Sequence, residues 1–181
     1  DSELLQGSLE KAGFSPTSDP EEAKIVLYNT CSVRDQAENR VFSHLGSWRE
    51  RAEDEPDFVL GVVGCMAQRM GKEIVQRFPF VNLVCGTRQF TNLPAYITRI
   101  FDTGERIVST EDQSLEFQRS PEIRPDTHQA FVSIMRGCDN YCSYCIVPYV
   151  RGREISRPTD VIVSEVKSLM DDGVVEVTLL G

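Results

Sequence analysis

The chain has 181 residues, 40% of them hydrophobic and 8% aromatic, enough to core one large domain or two small ones. A formal net charge of −9 excludes a protein that coats nucleic acid through bulk positive charge, though not one with a local RNA site. Six cysteines are too few for a disulfide scaffold, no apolar run nears the roughly 20 residues that span a membrane, and no secretory pattern opens the chain.

The first element is a helix with Leu5, Leu9 and Ala12 at helical spacing and Gly13 as its stop. Asp1 falls inside that pattern and Gly181 follows a strand-like run, so both ends read as cuts. The apolar run Ile25 to Tyr28 predicts a strand leading into Asn29-Thr30-Cys31. A helix follows with Ala37, Val41, Leu45 and Trp48 on one face, and Ser32 and Asp35 have capping-box spacing at its start. Phe58 to Val63 predicts a second strand, ending in Gly64-Cys65. Met70, Ile74 and Phe78 mark a helix, Val81 to Val84 a third strand ending in Cys85-Gly86, and residues 91–101 a last helix.

Strands alternating with helices imply a parallel sheet, whose ligands gather beyond the carboxyl ends of the strands. Cys31 and Cys65 both stand there, each just before a helix whose positive terminus favours a thiolate. Cys85 also ends a strand, which would make it a third ligand, but a lone cysteine is more often a buried free thiol.

Between residues 109 and 129 the pattern lapses into polar, proline-broken sequence, which reads as a linker between a domain at 1–108 and one at 130–181. Phe131 to Met135 then resumes as a strand and enters a cysteine-rich loop. Pro158 opens a helix carrying Ile162, Val166, Leu169 and Met170; Gly173 ends it, and Val175 to Leu180 forms another strand. This is one βαβ unit, the opening of a larger barrel or sheet.

Cys138-Asp139-Asn140-Tyr141-Cys142-Ser143-Tyr144-Cys145 carries the chemistry. Iron–sulfur clusters normally take four cysteines, and a C-x3-C-x2-C loop supplies three corners of a 4Fe–4S cubane, leaving one iron open. Three cysteines in eight residues also suit part of a zinc site, with the fourth ligand from elsewhere. The nearby histidine, His128, precedes the strand. A ferredoxin-type structural cluster needs a fourth cysteine close by.

With Tyr144 directly before the third cysteine, this motif resembles that of the radical S-adenosylmethionine (SAM) superfamily. The flanking blocks narrow the resemblance. Residues 131–138, Ile146 to Gly152 and Ser156-Arg157-Pro158 are similar to the core of the methylthiotransferase family. Asn29 to Arg34, Val41-Phe42, Gly64 to Arg69 and Gly86-Thr87-Arg88 are similar to its N-terminal domain. Within the family, these blocks favour the branch acting on isopentenyl-modified tRNA adenosine over the ribosomal-protein and threonylcarbamoyl-adenosine branches.

The resemblance implies an α/β fold: a Rossmann- or flavodoxin-like N-terminal domain lacking its first strand, then the start of a radical SAM barrel. It implies that Cys138, Cys142 and Cys145 hold a SAM-binding 4Fe–4S cluster, with Tyr144 near the SAM adenine. Cys31 and Cys65 become two of three ligands of an auxiliary 4Fe–4S cluster, the third falling before Asp1, and Cys85 is not a ligand. The implied reaction is radical methylthiolation of carbon 2 of the adenosine beside the anticodon. One SAM yields the radical and another methylates the inserted sulfur. The implied partners are the tRNA anticodon stem-loop, an electron donor such as flavodoxin or ferredoxin and a sulfur donor. The protein is expected to be a cytoplasmic monomer, and this chain alone to be inactive. The rival from another class is a non-catalytic zinc-binding module.

Arg136, Arg151, Arg153 and Arg157, with Asp139 and Glu154 among them, either bind phosphates or the SAM carboxylate or form salt bridges. Arg34 and Arg69 follow the strand-end cysteines and either stabilise cluster charge or face solvent. Trp48 reads as core, and His44 as structural.

Overall fold

The computed structural model describes residues 1–32, 35–111 and 128–181, and the side chains of residues 35–37 are not among those described. Val33, Arg34 and most of the expected linker therefore lie outside the described residues; of the expected capping pair, Ser32 Oγ is buried without a hydrogen-bond partner, and the Asp35 side chain is not described. The chain divides into two compact units, Asp1–Leu115 and Glu116–Gly181.

In the first unit, short apolar runs become strands of a sheet covered on both faces, the inner two fully buried and the outer two partly so. They are β1 (Ile25–Thr30), β2 (Val59–Gly64), β3 (Leu83–Gly86) and β4 (Ile107–Ser109). The order is β1-β2-β3-β4 and each neighbouring pair is parallel. All six residues of β2 are buried.

Helices cover both faces. On one, α1 (Ser2–Lys11) and α6 (Leu93–Thr103) pack Leu5, Leu93, Ile97 and Ile100 against Val59, Val63, Leu83 and Cys85. On the other, α2 (Asp35–Ser47), α4 (Cys65–Met70) and α5 (Lys72–Arg77) pack Leu45, Ala67 and Ile74 against Leu60, Val62 and Val84. Trp48 packs beside this second core and donates its indole N–H to the Tyr28 hydroxyl at 2.8 Å, as a core residue should. It also separates α2 from α3 (Arg49–Asp54). The expected single helix through Met70, Ile74 and Phe78 is instead two, broken at Gly71, whose φ of 48° no regular helix accepts. His44 is exposed, its ring stacked on Tyr28.

Strand β4 escaped the sequence pattern because three residues between polar neighbours show no period; pairing with β3 makes it a strand. No helix among the described residues is long and apolar enough to cross a membrane.

The second unit is the expected βαβ: β5 (Gln129–Ser133) pairs in parallel with β8 (Glu176–Leu180) through α8 (Thr159–Asp171). Its core is smaller, with Ala130 and Val132 of β5 against Leu169 and Val174. The strand expected at Phe131 to Met135 splits at Ile134. A two-residue β6 (Met135–Arg136) then pairs antiparallel with β7 (Ile155–Ser156), and a short α7 (Val147–Arg151) lies between them in sequence. Neither β7 nor α7 is foreshadowed by periodicity, since β7 is a single strand repeat and α7 under two helical turns, too short for a pattern to recur.

Candidate functional site

The register of the first sheet sets the positions of its cysteines. Thr30 pairs with Gly64, and Gly64 with Gly86, so one rung crosses three strands at their carboxyl ends. Cys31 and Cys65 each follow that rung by one residue, on adjacent strands. Cys31 is exposed and Cys65 buried, and neither is in a disulfide. Cys65 begins α4 directly, whereas α2 begins only at Asp35, four residues beyond Cys31. The rung is tight: Gly64 has φ 96°, and a β-carbon there would lie 2.5 Å from the Thr30 carbonyl oxygen. The Thr30 hydroxyl donates to the Val63 carbonyl at 2.7 Å, locking β1 to β2 just below the two thiols.

Cys85 is different. It precedes the rung by one residue, pairs with Val63, and is fully buried among Val59, Leu83, Phe90 and Ile97. Burial pushes its thiol pKa up to about 12, so it stays protonated and inert. Relative to that rung it stands two positions short of Cys65, within the paired strand rather than beyond its end.

In the second unit, the three clustered cysteines occupy a loop closed at its neck. β6 and β7 form the closure, pairing Met135 with Ser156 and Arg136 with Ile155. Above them the Cys138 N–H donates to the Gly152 carbonyl at 3.1 Å. Gly137, at φ 76°, passes against the Arg153 carbonyl where a β-carbon would collide. The Asp139 carboxylate then accepts from the Arg153 guanidinium at 3.1 Å and from the Glu154 N–H at 3.1 Å. Those two donors hold its pKa below the usual carboxylate range, and the Arg153 pKa is raised in turn.

Within the loop the Cys145 N–H donates to the Cys142 carbonyl at 3.0 Å, and the Asn140 amide lies 3.5 Å from Cys138 Sγ. Cys142 is exposed, Cys138 and Cys145 are partly so, and Tyr144 is 91% exposed. Among the described residues, no three Cys, His, Asp or Glu side chains converge as a metal site. The loop thus gathers three reduced thiols by sequence and neck closure. That donor set fits a cluster carried on three cysteines, and zinc would still need a fourth ligand.

Arg69, Arg153 and Arg157 all take the salt-bridge role. Arg157 is buried: it donates to the Ser133 carbonyl at 2.8 Å and to the Glu165 carboxylate at 2.5 Å, tying the end of β5 to α8. It is a strut, unavailable to a phosphate. Arg153 is the exposed half of the Asp139 clamp. Arg69 pairs with Glu38 at 2.6 Å, joining α4 to α2, so its charge is already met. Arg34 lies outside the described residues.

Sequence reasoning missed two glutamines. Gln68 Nε2 donates to the Thr110 carbonyl at 2.7 Å, and Gln89 Nε2 to the Glu111 carbonyl at 2.8 Å. The Gln89 carbonyl oxygen accepts from the Tyr96 hydroxyl at 2.8 Å, and that hydroxyl also meets Ser109 Oγ at 2.9 Å. The segment leaving β4 is thereby fastened at the sheet end that carries Cys31 and Cys65. Only the position of Gln68, three residues after Cys65 on one helix, could have signalled it.

Fold and loop define a class: an α/β protein with thiols at the ends of a parallel sheet and a second unit built around a three-cysteine loop. Residues 132–181 match the family model described as the radical SAM superfamily, and residues 1–86 match uncharacterized protein family UPF0004. The chain is 45% identical to the tRNA-2-methylthio-N(6)-dimethylallyladenosine synthase of Clostridium beijerinckii, over 100% of this chain and 40% of the relative. The enzyme of the same name from Dictyoglomus thermophilum is also 45% identical, over 100% of this chain and 41% of its own length. The one from Paraburkholderia phytofirmans is 47% identical over 93% and 37%. The chain thus joins a segment similar to UPF0004 to one similar to the radical SAM superfamily, and is similar along its whole length to these synthases. It spans about 40% of the length of the curated relatives it matches.

Proposed function

We propose that this chain serves the reaction for which its relatives are named, SAM-dependent radical methylthiolation of carbon 2 of isopentenyl-modified adenosine beside the tRNA anticodon. The observation that carries the reading is the loop, closed at its neck by β6 and β7, that presents Cys138, Cys142 and Cys145 outside any disulfide. These three thiols would hold a 4Fe–4S cluster with one iron open to SAM. When bound, that cluster supplies the electron that cleaves SAM to methionine and a carbon-centred radical.

The chain's own residues do the positioning. The Asp139–Arg153–Glu154 clamp and the Cys138–Gly152 hydrogen bond fix the neck. Arg157 fixes the strand beneath it, and Tyr144, exposed on the loop, would stand by the SAM adenine. Cys31 and Cys65 would supply two of the three ligands of a second, auxiliary 4Fe–4S cluster, since neither is in a disulfide and both follow one rung on adjacent strands. We further assign an electron donor of flavodoxin or ferredoxin type, a sulfur donor, a cytoplasmic location and a monomeric state, all of which suit tRNA and reduced thiols.

The test is iron, sulfide and zinc content after anaerobic reconstitution, with EPR spectra before and after SAM. About four irons per loop cluster and a signal that shifts with SAM support the reading. Stoichiometric zinc without sulfide, and no response to SAM, leaves a metal-stapled binding module instead.

A further inference from the structure

The cysteine loop carries aromatic surface that the cluster reading leaves unused. Tyr141 is 52% exposed and Tyr149 66%, although large aromatic side chains usually hide most of their area. The two rings meet edge to face, 6.1 Å apart at 87°, so they brace each other into a corner while much of both stays open. Tyr141 is also the one non-glycine among the described residues with positive φ, 48°, a conformation that ordinary residues rarely adopt.

The surroundings have a charge preference. Leaving out Arg157, which is buried against Glu165, the segment from Arg136 to Glu154 holds three arginines against two carboxylates, a small positive excess within a chain of net −9. Arg153, exposed beside the loop, lies within electrostatic reach of Tyr141. Aromatic rings next to cations are how proteins hold unpaired bases: every base has a π-face, and the phosphates on either side meet the positive charge. A hydrophobic protein partner would need no such charge.

We propose that Tyr141 and Tyr149 form a stacking platform for an unpaired base of a single-stranded RNA loop, next to the three cysteines. This rests on the RNA reading above and adds to it the residues that would grip a nucleotide near the target.

The experiment uses the full chain, reconstituted, and an RNA hairpin of anticodon stem-loop shape with 2-aminopurine at successive loop positions. The fluorophore's emission falls when it stacks. Wild type, Tyr149→Phe and Tyr141→Phe are expected to bind alike and to quench at one or two loop positions. Tyr149→Leu and Tyr141→Leu should each bind on the order of tenfold more weakly and lose the quenching, with iron content unchanged because both side chains are exposed. If the leucine variants bind and quench like wild type, the platform is refuted while the RNA reading stands. If wild type binds no hairpin although its cluster responds to SAM, the RNA reading fails and takes the platform with it. If the leucine variants instead slow reduction by a flavodoxin and leave RNA binding intact, the tyrosines serve a protein partner and the proposal is wrong.

Discussion

The two cysteine sites are built by opposite strategies. Cys31 and Cys65 stand 34 positions apart in sequence and meet only because β1 and β2 pair in one register, with a full core on each face. Cys138, Cys142 and Cys145 fall within eight residues, and their frame is a local neck of four paired residues and one ion-pair clamp. A site assembled by the fold is as stable as the fold. A site assembled by a loop depends on its neck, and it answers to small changes there.

The largest effects should separate the two sites outright. Cys142→Ala is expected to abolish the SAM-responsive EPR signal. Cys31→Ala should lower total iron yet leave that signal in place; equal loss of it in both variants would break the comparison. Next comes Phe58→Ala, in the core behind β2, where a buried aromatic typically contributes about 3–5 kcal/mol. A denaturant melt should show the first unit destabilised by that order, and the SAM-responsive signal should outlast it.

A smaller effect concerns the neck. Because the Asp139 pKa is depressed in the fold, its contribution is present above the unfolded carboxylate value of about 4 and is lost as the pH falls through the folded value. Protection of the Glu154 amide from exchange should therefore drop in acid, and Asp139→Asn should remove that pH dependence. The smallest effect is at Cys85. Cys85→Ala should leave iron content unchanged, and at pH 8 its thiol should alkylate last among the six, long after exposed Cys31 and Cys142. Early alkylation of Cys85 would place it at the sheet end after all.

Much of this was legible in the sequence, for identifiable reasons. Runs such as Val59 to Val63 and the helix through Ile162, Val166 and Leu169 carry enough periods to show their class, and the C-x3-C-x2-C spacing names its chemistry without a fold. What escaped was short or relational. The two-residue strands of the neck have no period. Arg157 looks from sequence like its exposed neighbour Arg153, and only burial against Ser133 and Glu165 distinguishes a strut from a surface charge. Cys85 mirrors Cys65 in sequence because both end apolar runs; a difference of two positions relative to the common rung, visible only in the register, keeps Cys85 within the paired strand and the core.

The two glutamines at the sheet end have a consequence for mutational tolerance. Gln68 and Gln89 both grip main-chain carbonyls, of Thr110 and Glu111, and a carbonyl is the same whatever side chain its residue bears. Positions 110 and 111 should therefore accept most residues in a saturation scan read by stability. Positions 68 and 89 should accept almost none, because only a carboxamide of that length reaches the backbone it holds.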